Sequence, residues 1–183
     1  MKQTENKNKI CDDCNEMIFG SKTKGRANQK AINKKSPYQV AEDAAWNEMS
    51  AVVRLRDTNS DGFGKCIATG KRIWYYKDHE GRTVSNCDGG HFISRRIKNI
   101  IFDLNNVHAQ FRQHNQFHGE EKSLYRANLI KKIGEAEVLR LEHESNMFAI
   151  TKHRPTMIQL AALKKYFRAM KRELLKSKSW HHG

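Results

Sequence analysis

The stretch from Asp88 to His118 constrains this chain more than any other part of it. It gathers His91, His108, His114 and His118, four of the nine histidines, together with Asn105, Asn106 and Asn115. A single histidine is more often a surface or hydrogen-bonded residue than a catalyst. The order of these residues carries more information than any one of them. His91-Phe-Ile-Ser94 reads as a short strand, Asn105-Asn106 follows after a loop, and further nitrogen and oxygen donors precede a helical pattern that starts at Ser123.

That order suits cleavage of a phosphodiester. Such a bond is a poor electrophile with a poor leaving group, so a site needs a base for water and a cation on the scissile phosphate. A neutral imidazole near pH 7 can supply the base, and His91 is the candidate. A mid-motif asparagine can hold the loop that bears the base by its amide. Carboxylate, amide and imidazole atoms suit one divalent ion, Mg²⁺ or Mn²⁺. Asp88 is the only acid close to His91 in sequence.

Charge points to the substrate. Lys and Arg number 34 against 20 Asp and Glu in 183 residues, a formal charge of +14. A polyanion rewards such an excess by counterion release. A membrane surface could too, but there is no lipidation motif and no run of about 18 apolar residues. Nucleic acid is therefore the expected partner, with Arg95, Arg96 and Lys98, just after His91, as phosphate contacts. The final helix carries Lys164, Lys165, Arg168, Lys171 and Arg172 as further basic residues. Met1 to Lys9 lacks the apolar core of a signal peptide, so a cytoplasmic location is expected. The four cysteines are then read as thiols or metal ligands before disulfides. Cys11 and Cys14 have zinc-knuckle spacing but no second pair nearby.

The expected organisation has three parts. Residues 1–36 form a basic, polar arm; 37–145 form the nuclease-type domain with an N-terminal helix; 146–183 form a basic helix and tail. Trp46, Met49 and Val53 predict an amphipathic helix ending near Arg56. Asp57-Thr-Asn-Ser-Asp61-Gly62 resembles half of a calcium loop, but Ala68 stands where the bidentate Glu belongs, so a polar turn is expected. Ile73 to Tyr76 and Arg82 to Ser85 predict a hairpin turning at Glu80-Gly81. Ser123 to Ile133, ended by Gly134, predicts a helix, and Glu135 to Glu144 a second with Val138 and Leu141 buried. Thr156 and Gln159 form a capping box for a last helix with Leu160, Leu163, Phe167, Met170 and Leu174 on one face.

Over about residues 64 to 142 the sequence also resembles the NinG/Rap recombination proteins of lambdoid phages, a branch of the HNH (ββα-metal) nucleases. The resemblance rests on Lys65-Cys66-Ile67, Cys87-Asp88-Gly-Gly-His91-Phe92, Asn105-Asn106-Val-His108-Ala-Gln110, Asn115-Gln116, and Tyr125-Arg126 through Leu129-Ile130 to Ile133-Gly134. It implies an α+β fold with a small ββα-metal core, flanking helices and a basic N-terminal arm. It also implies a metal-dependent endonuclease acting on branched DNA such as Holliday junctions and strand-invasion loops. His91 takes the general-base place, Asn106 the central asparagine, Asn115 the third motif place as a metal ligand, and Asp88 an acid common in the family. His118 falls where members vary and is a further candidate ligand; His108 matches a family histidine without an assigned role. The family usually frames the site with two Cys-x-x-Cys pairs holding zinc. Here those places read Cys66, Thr69, Phe111 and His114. A structural zinc is therefore not expected, and Phe111, Trp74 and a tyrosine are expected to pack in its stead.

Two other functions fit the same residues: a non-catalytic DNA-binding protein on a degenerate HNH scaffold, and a ribonuclease or RNA-binding protein, since nothing in the sequence separates DNA from RNA. A homodimer would suit a near-twofold branched substrate, though no heptad run is long enough to demonstrate one.

Overall fold

The computed structural model describes residues 34–113 and 120–181. Chain contacts divide the protein into units Met1–Gln39 and Val40–Gly183. The Cys11/Cys14 pair, His114, Asn115 and His118 lie outside the described residues.

Helix α1 runs from Pro37 to Arg56. Ser36 starts it with a reciprocal cap: its hydroxyl accepts from the Gln39 amide, and the Gln39 side chain accepts from the Ser36 amide. The predicted stripe is buried, with Met49, Val52 and Val53 in the core and Trp46 packed against it. The helix ends where Arg56 and Asp57 turn inward. The Asp57 carboxylate accepts from Arg56, Lys132 and the Ala109 amide, while Arg56 donates to the carbonyls of Leu104 and Val107. Asp57 is therefore a structural latch. In the following turn Asn59 Oδ1 accepts from the amides of Asp61 and Phe63, so the loop is a polar turn, as expected.

Strands β1 (Phe63–Lys65), β2 (Arg72–Lys77) and β3 (Thr83–Ser85) form an antiparallel sheet in that order. Asp78 closes the β2–β3 turn by accepting from the amides of Glu80 and Arg82. A second antiparallel pair, β4 (Cys87–His91) and β5 (Val107–Phe111), is registered from Cys87 opposite Phe111 to His91 opposite Val107. This corrects the expected strand over His91 to Ser94: His91 ends its strand instead of beginning one. The physical reason is Asn106, whose side chain takes the Ile93 amide and so ends the ladder.

Three helices complete the unit: α2 (Glu120–Ile133), α3 (Glu135–Thr151) and α4 (Met157–Lys176). Gly134 separates the first two at φ 87°, a left-handed conformation that favours glycine. Helix α3 runs past the expected Glu144 to Thr151, with Val138 and Leu141 buried. The capping box of α4 is present, and its stripe faces inward, Leu160 and Phe167 fully and Leu163, Met170 and Leu174 in part. The fold class is α+β.

Lys178, 3% exposed, reaches back to the end of α1. Its ammonium donates to the carbonyls of Leu55, Thr58 and Asn59, a cation at a helix C-terminus where the orphan carbonyls and the dipole favour one. Burial lowers its pKa. Lys178→Met keeps the aliphatic stem and strands these acceptors, so a loss of about 2–4 kcal/mol is expected. Urea unfolding measures it, and a change within experimental error would show that water replaces the ammonium.

Candidate active site

Two adjacent glycines let the site form. A Cβ on Gly89 would lie 3.1 Å from Ser50 Oγ and 3.4 Å from the Trp46 ring, and one on Gly90 would lie 1.7 Å from Gln110 Oε1. Strand β4 thus lies close against α1 at Gly89, where a side chain would need Ser50 and Trp46 to give by a few tenths of an ångström, and against the flexible Gln110 side chain at Gly90. Along α1, the residues at four-residue spacing follow the strand. Arg54 lies 3.9 Å from Asp88, Ser50 and Trp46 face Gly89, and Trp46 stacks on His91.

His91 is held on two sides. Its ring lies 4.6 Å from that of Trp46 at an interplanar angle of 25°. Its Nε2 lies 3.0 Å from the Ile101 carbonyl. A carbonyl only accepts, so the neutral ring carries its proton on Nε2 and its lone pair on Nδ1. Burial lowers the His91 pKa to about 4; the Ile101 bond opposes this, and the charges of Arg95 and Lys98 assist it. The imidazole is therefore neutral at pH 7, as a base must be before it takes a proton.

Asn106 is completely buried and uses its whole amide. Oδ1 accepts from the Ile93 amide at 2.7 Å, and Nδ2 donates to the carbonyls of Ile93 and Ile100. The backbone amide of Phe92 donates to the Asn106 carbonyl. One asparagine therefore pins both ends of the loop that leaves His91 and returns through Ile101, the residue that holds the imidazole. Neighbouring Asn105 plays a different part, donating to Glu137, which with Arg140 and Asp103 fastens the loop to α3.

His108 proves to be internal. It is fully buried, its Nδ1 lies 3.4 Å from the Tyr125 hydroxyl, and that hydroxyl donates to the Gly90 carbonyl. Its Nε2 has no hydrogen-bond partner among the described residues. Burial lowers its pKa to about 3, against the opposing charge of Asp57, with Arg56 and Lys132 assisting. His108 and Tyr125 thus tie α2 to the residue just before His91.

Asp88 stands at the surface, 34% exposed, with Arg112 at 3.2 Å and Arg54 at 3.9 Å. Among the described residues no group of three His, Cys, Asp or Glu side chains is placed to hold a metal ion. Asp88 is one described member of the expected ligand set, and its oxygen donor suits Mg²⁺ or Mn²⁺.

The expected phosphate contacts divide. Arg95 is 3.0 Å from Asp43 and lies over the Trp46 ring, and Lys98 is 2.6 Å from Glu42. Arg96 is exposed and has no ion pair among the described residues. On α4, Arg168 and Lys171 are both committed to Glu48 of α1, whereas Lys165 and Arg172 are exposed.

Among the residues expected to stand in place of a zinc site, Cys66 is buried and its sulfur accepts from the Phe111 amide at 3.3 Å. Phe111 and Tyr75 pack against the core, with Lys71 over the Phe111 ring and Arg54 over the Tyr75 ring. Trp74 contributes its carbonyl, which accepts from the buried Cys87 thiol.

Sequence reasoning treats Trp46 as a core residue and does not single out Glu42 and Asp43. The available signal was the four-residue spacing of Trp46, Ser50 and Arg54 opposite a Gly-Gly pair, which marks a helix laid closely on a strand.

The fold and this site define an α+β protein whose buried asparagine clamps the loop behind a neutral, strand-end histidine. The chain belongs to the NinG family, described as bacteriophage lambda NinG protein, whose family model matches residues 2–177. That membership suggests a phage recombination-related role. No curated protein and no solved structure matches the chain. Among the described residues, no helix is long and apolar enough to cross a membrane.

Proposed function

We propose that this protein is a metal-dependent endonuclease of the HNH type that hydrolyses phosphodiester bonds in branched DNA. The observation that carries the reading is the His91–Asn106 arrangement: a neutral histidine with Nδ1 unbonded among the described residues, held by a carbonyl of the same loop that a buried asparagine clamps. The order of strand β4, strand β5 and helix α2 supports it.

In this reading His91 Nδ1 takes a proton from water as the water oxygen bonds to phosphorus. The bond to the leaving oxygen breaks, and that oxygen takes a proton from solvent. Asp88, Asn115 and His118 would hold the divalent ion, which supplies positive charge at the phosphate. Asp88 would exchange its surface arginines for the ion, at small cost, because exposed ion pairs contribute little. The +14 charge supports a nucleic-acid substrate.

The test is incubation of the protein with four-way-junction, flap and linear duplex DNA in Mg²⁺, Mn²⁺ or chelator. Cleavage of the branched forms that needs the metal is expected. Binding without cleavage in every metal would favour a non-catalytic DNA-binding protein.

Exposed Arg96 is the strongest candidate for a phosphate contact, because Arg95 and Lys98 already face acids. Arg96→Ala is expected to flatten the salt dependence of DNA binding by about 0.9 in log–log slope. Arg95→Ala should change the slope less, since Asp43 already neutralises that charge. Equal slopes for wild type and Arg96→Ala would move the phosphate track elsewhere.

A further inference from the structure

We propose that Trp46 is a positioning residue for His91, fixing the face of the imidazole while the Ile101 carbonyl fixes its Nε2 edge, so that Nδ1 is the atom free to accept a proton. For its catalytic consequence the proposal rests on the nuclease reading. The contact itself does not.

Two independent features place the indole there. The ring stacks on the imidazole with centroids 4.6 Å apart, nearly parallel at 25°. It also rests against β4 at Gly89, where any side chain would crowd Trp46 and Ser50. An imidazole bonded only through Nε2 could still rotate about that bond. A flat aromatic face removes this freedom, and the carbonyl then selects one tautomer.

The charged groups around the pair follow from the same packing. From the loop after His91 come Arg95, lying over the indole at 4.9 Å, and Lys98; from α1 come Asp43 and Glu42, which pair with them. The indole therefore packs against both the neutral base and a cation. Removing it would admit water to the imidazole, relieve the burial that lowers its pKa to about 4, and loosen Arg95 from its place.

The experiment uses the full chain with ¹⁵N-labelled histidine, free of DNA and metal. In wild type, His91 should titrate well below the ordinary value near 6.5 and show Nε2–H as its neutral form. Trp46→Phe, which keeps an aromatic face, should retain both properties. Trp46→Leu, which keeps bulk without the face, should raise the titration by about one unit or more and mix the tautomers. An unchanged titration and tautomer in a cooperatively folded Trp46→Leu protein would overturn the proposal. Should that variant not fold, wild type still decides. A protonated imidazole stacked on an indole quenches it, so tryptophan fluorescence should step at the His91 titration and lose the step in His91→Gln. No step in wild type would overturn the proposal equally.

Cleavage assays then separate this inference from the function it rests on. Trp46→Leu should lower kcat and shift the acidic limb of the pH–rate profile upward, with KM for DNA little changed, and Trp46→Phe should restore both. If wild type cleaves nothing while the spectroscopic results hold, the nuclease reading fails and the positioning of His91 by Trp46 stands.

Discussion

His91→Ala is expected to cut branched DNA roughly 10²–10⁴-fold more slowly than wild type, with DNA affinity within a few fold. The reason is local. The imidazole at the end of β4 is neutral at pH 7, only partly buried, and leaves Nδ1 unbonded among the described residues, whereas His108, whose Nε2 is also unpartnered there, is fully buried behind Tyr125. Basic groups that would contact phosphate, Arg96 above all, are untouched by the change. Single-turnover cleavage beside a binding titration separates the two effects. Undiminished cleavage would remove His91 from the mechanism. A parallel loss of Mn²⁺ affinity would make it a ligand instead of a base.

The second large effect is on stability against pH. His91 and His108 have pKa values lowered by burial to about 4 and about 3. Above the ordinary value near 6.5 both are neutral whether the chain is folded or not, and they add no pH dependence. Below it the unfolded chain takes up two protons that the folded chain refuses, so stability falls as pH falls. Each contributes about 1.4 kcal/mol per pH unit in this window, so going from about pH 6.5 to pH 5 should cost roughly 3–4 kcal/mol, a large part of a typical domain's total.

Carboxylates extend the loss at lower pH. Burial pushes Asp57 up, but Arg56 and Lys132 outweigh it and hold the group at about 2. Arg140 and then Asn105 hold Glu137 at about 2. These groups favour the folded state above the ordinary carboxylate range, and that stability disappears as pH falls toward 2. Urea unfolding across the range measures both windows. A flat profile between pH 6.5 and 5 would mean that the two imidazoles are protonated in the folded protein. His108→Gln should halve the slope there whatever it does to overall stability.

Much of the fold is readable because its signals are local. The stripe of α1, the Asp78–Arg82 hairpin turn, the Gly134 break and the Thr156/Gln159 capping box each depend on residues a few positions apart, where spacing alone decides which side chains meet. His91 and Asn106 were likewise legible as candidates, because a histidine and an asparagine in that order before a helix form a recognisable pattern. Their actual bonds were not. That Asn106 reaches back to Ile93 and Ile100, that Ile101 takes the His91 proton, and that the strand stops at His91 all depend on how a loop returns across β5.

Tertiary structure alone decided the roles that arise from distant segments. Arg95 and Lys98 look like free cations in sequence, but α1 brings Asp43 and Glu42 to them. His108 looks like a fourth site histidine, but it points inward to Tyr125. Trp46 looks like core and is also the platform of His91. By itself the sequence determined the helices, the turns, the strongly basic charge and the chemical types at the site, since each is a property of composition or short spacing. Which cations are already neutralised, and which histidine is fully enclosed, depends on burial and on charges brought together from far along the chain, and those exist only once it is folded.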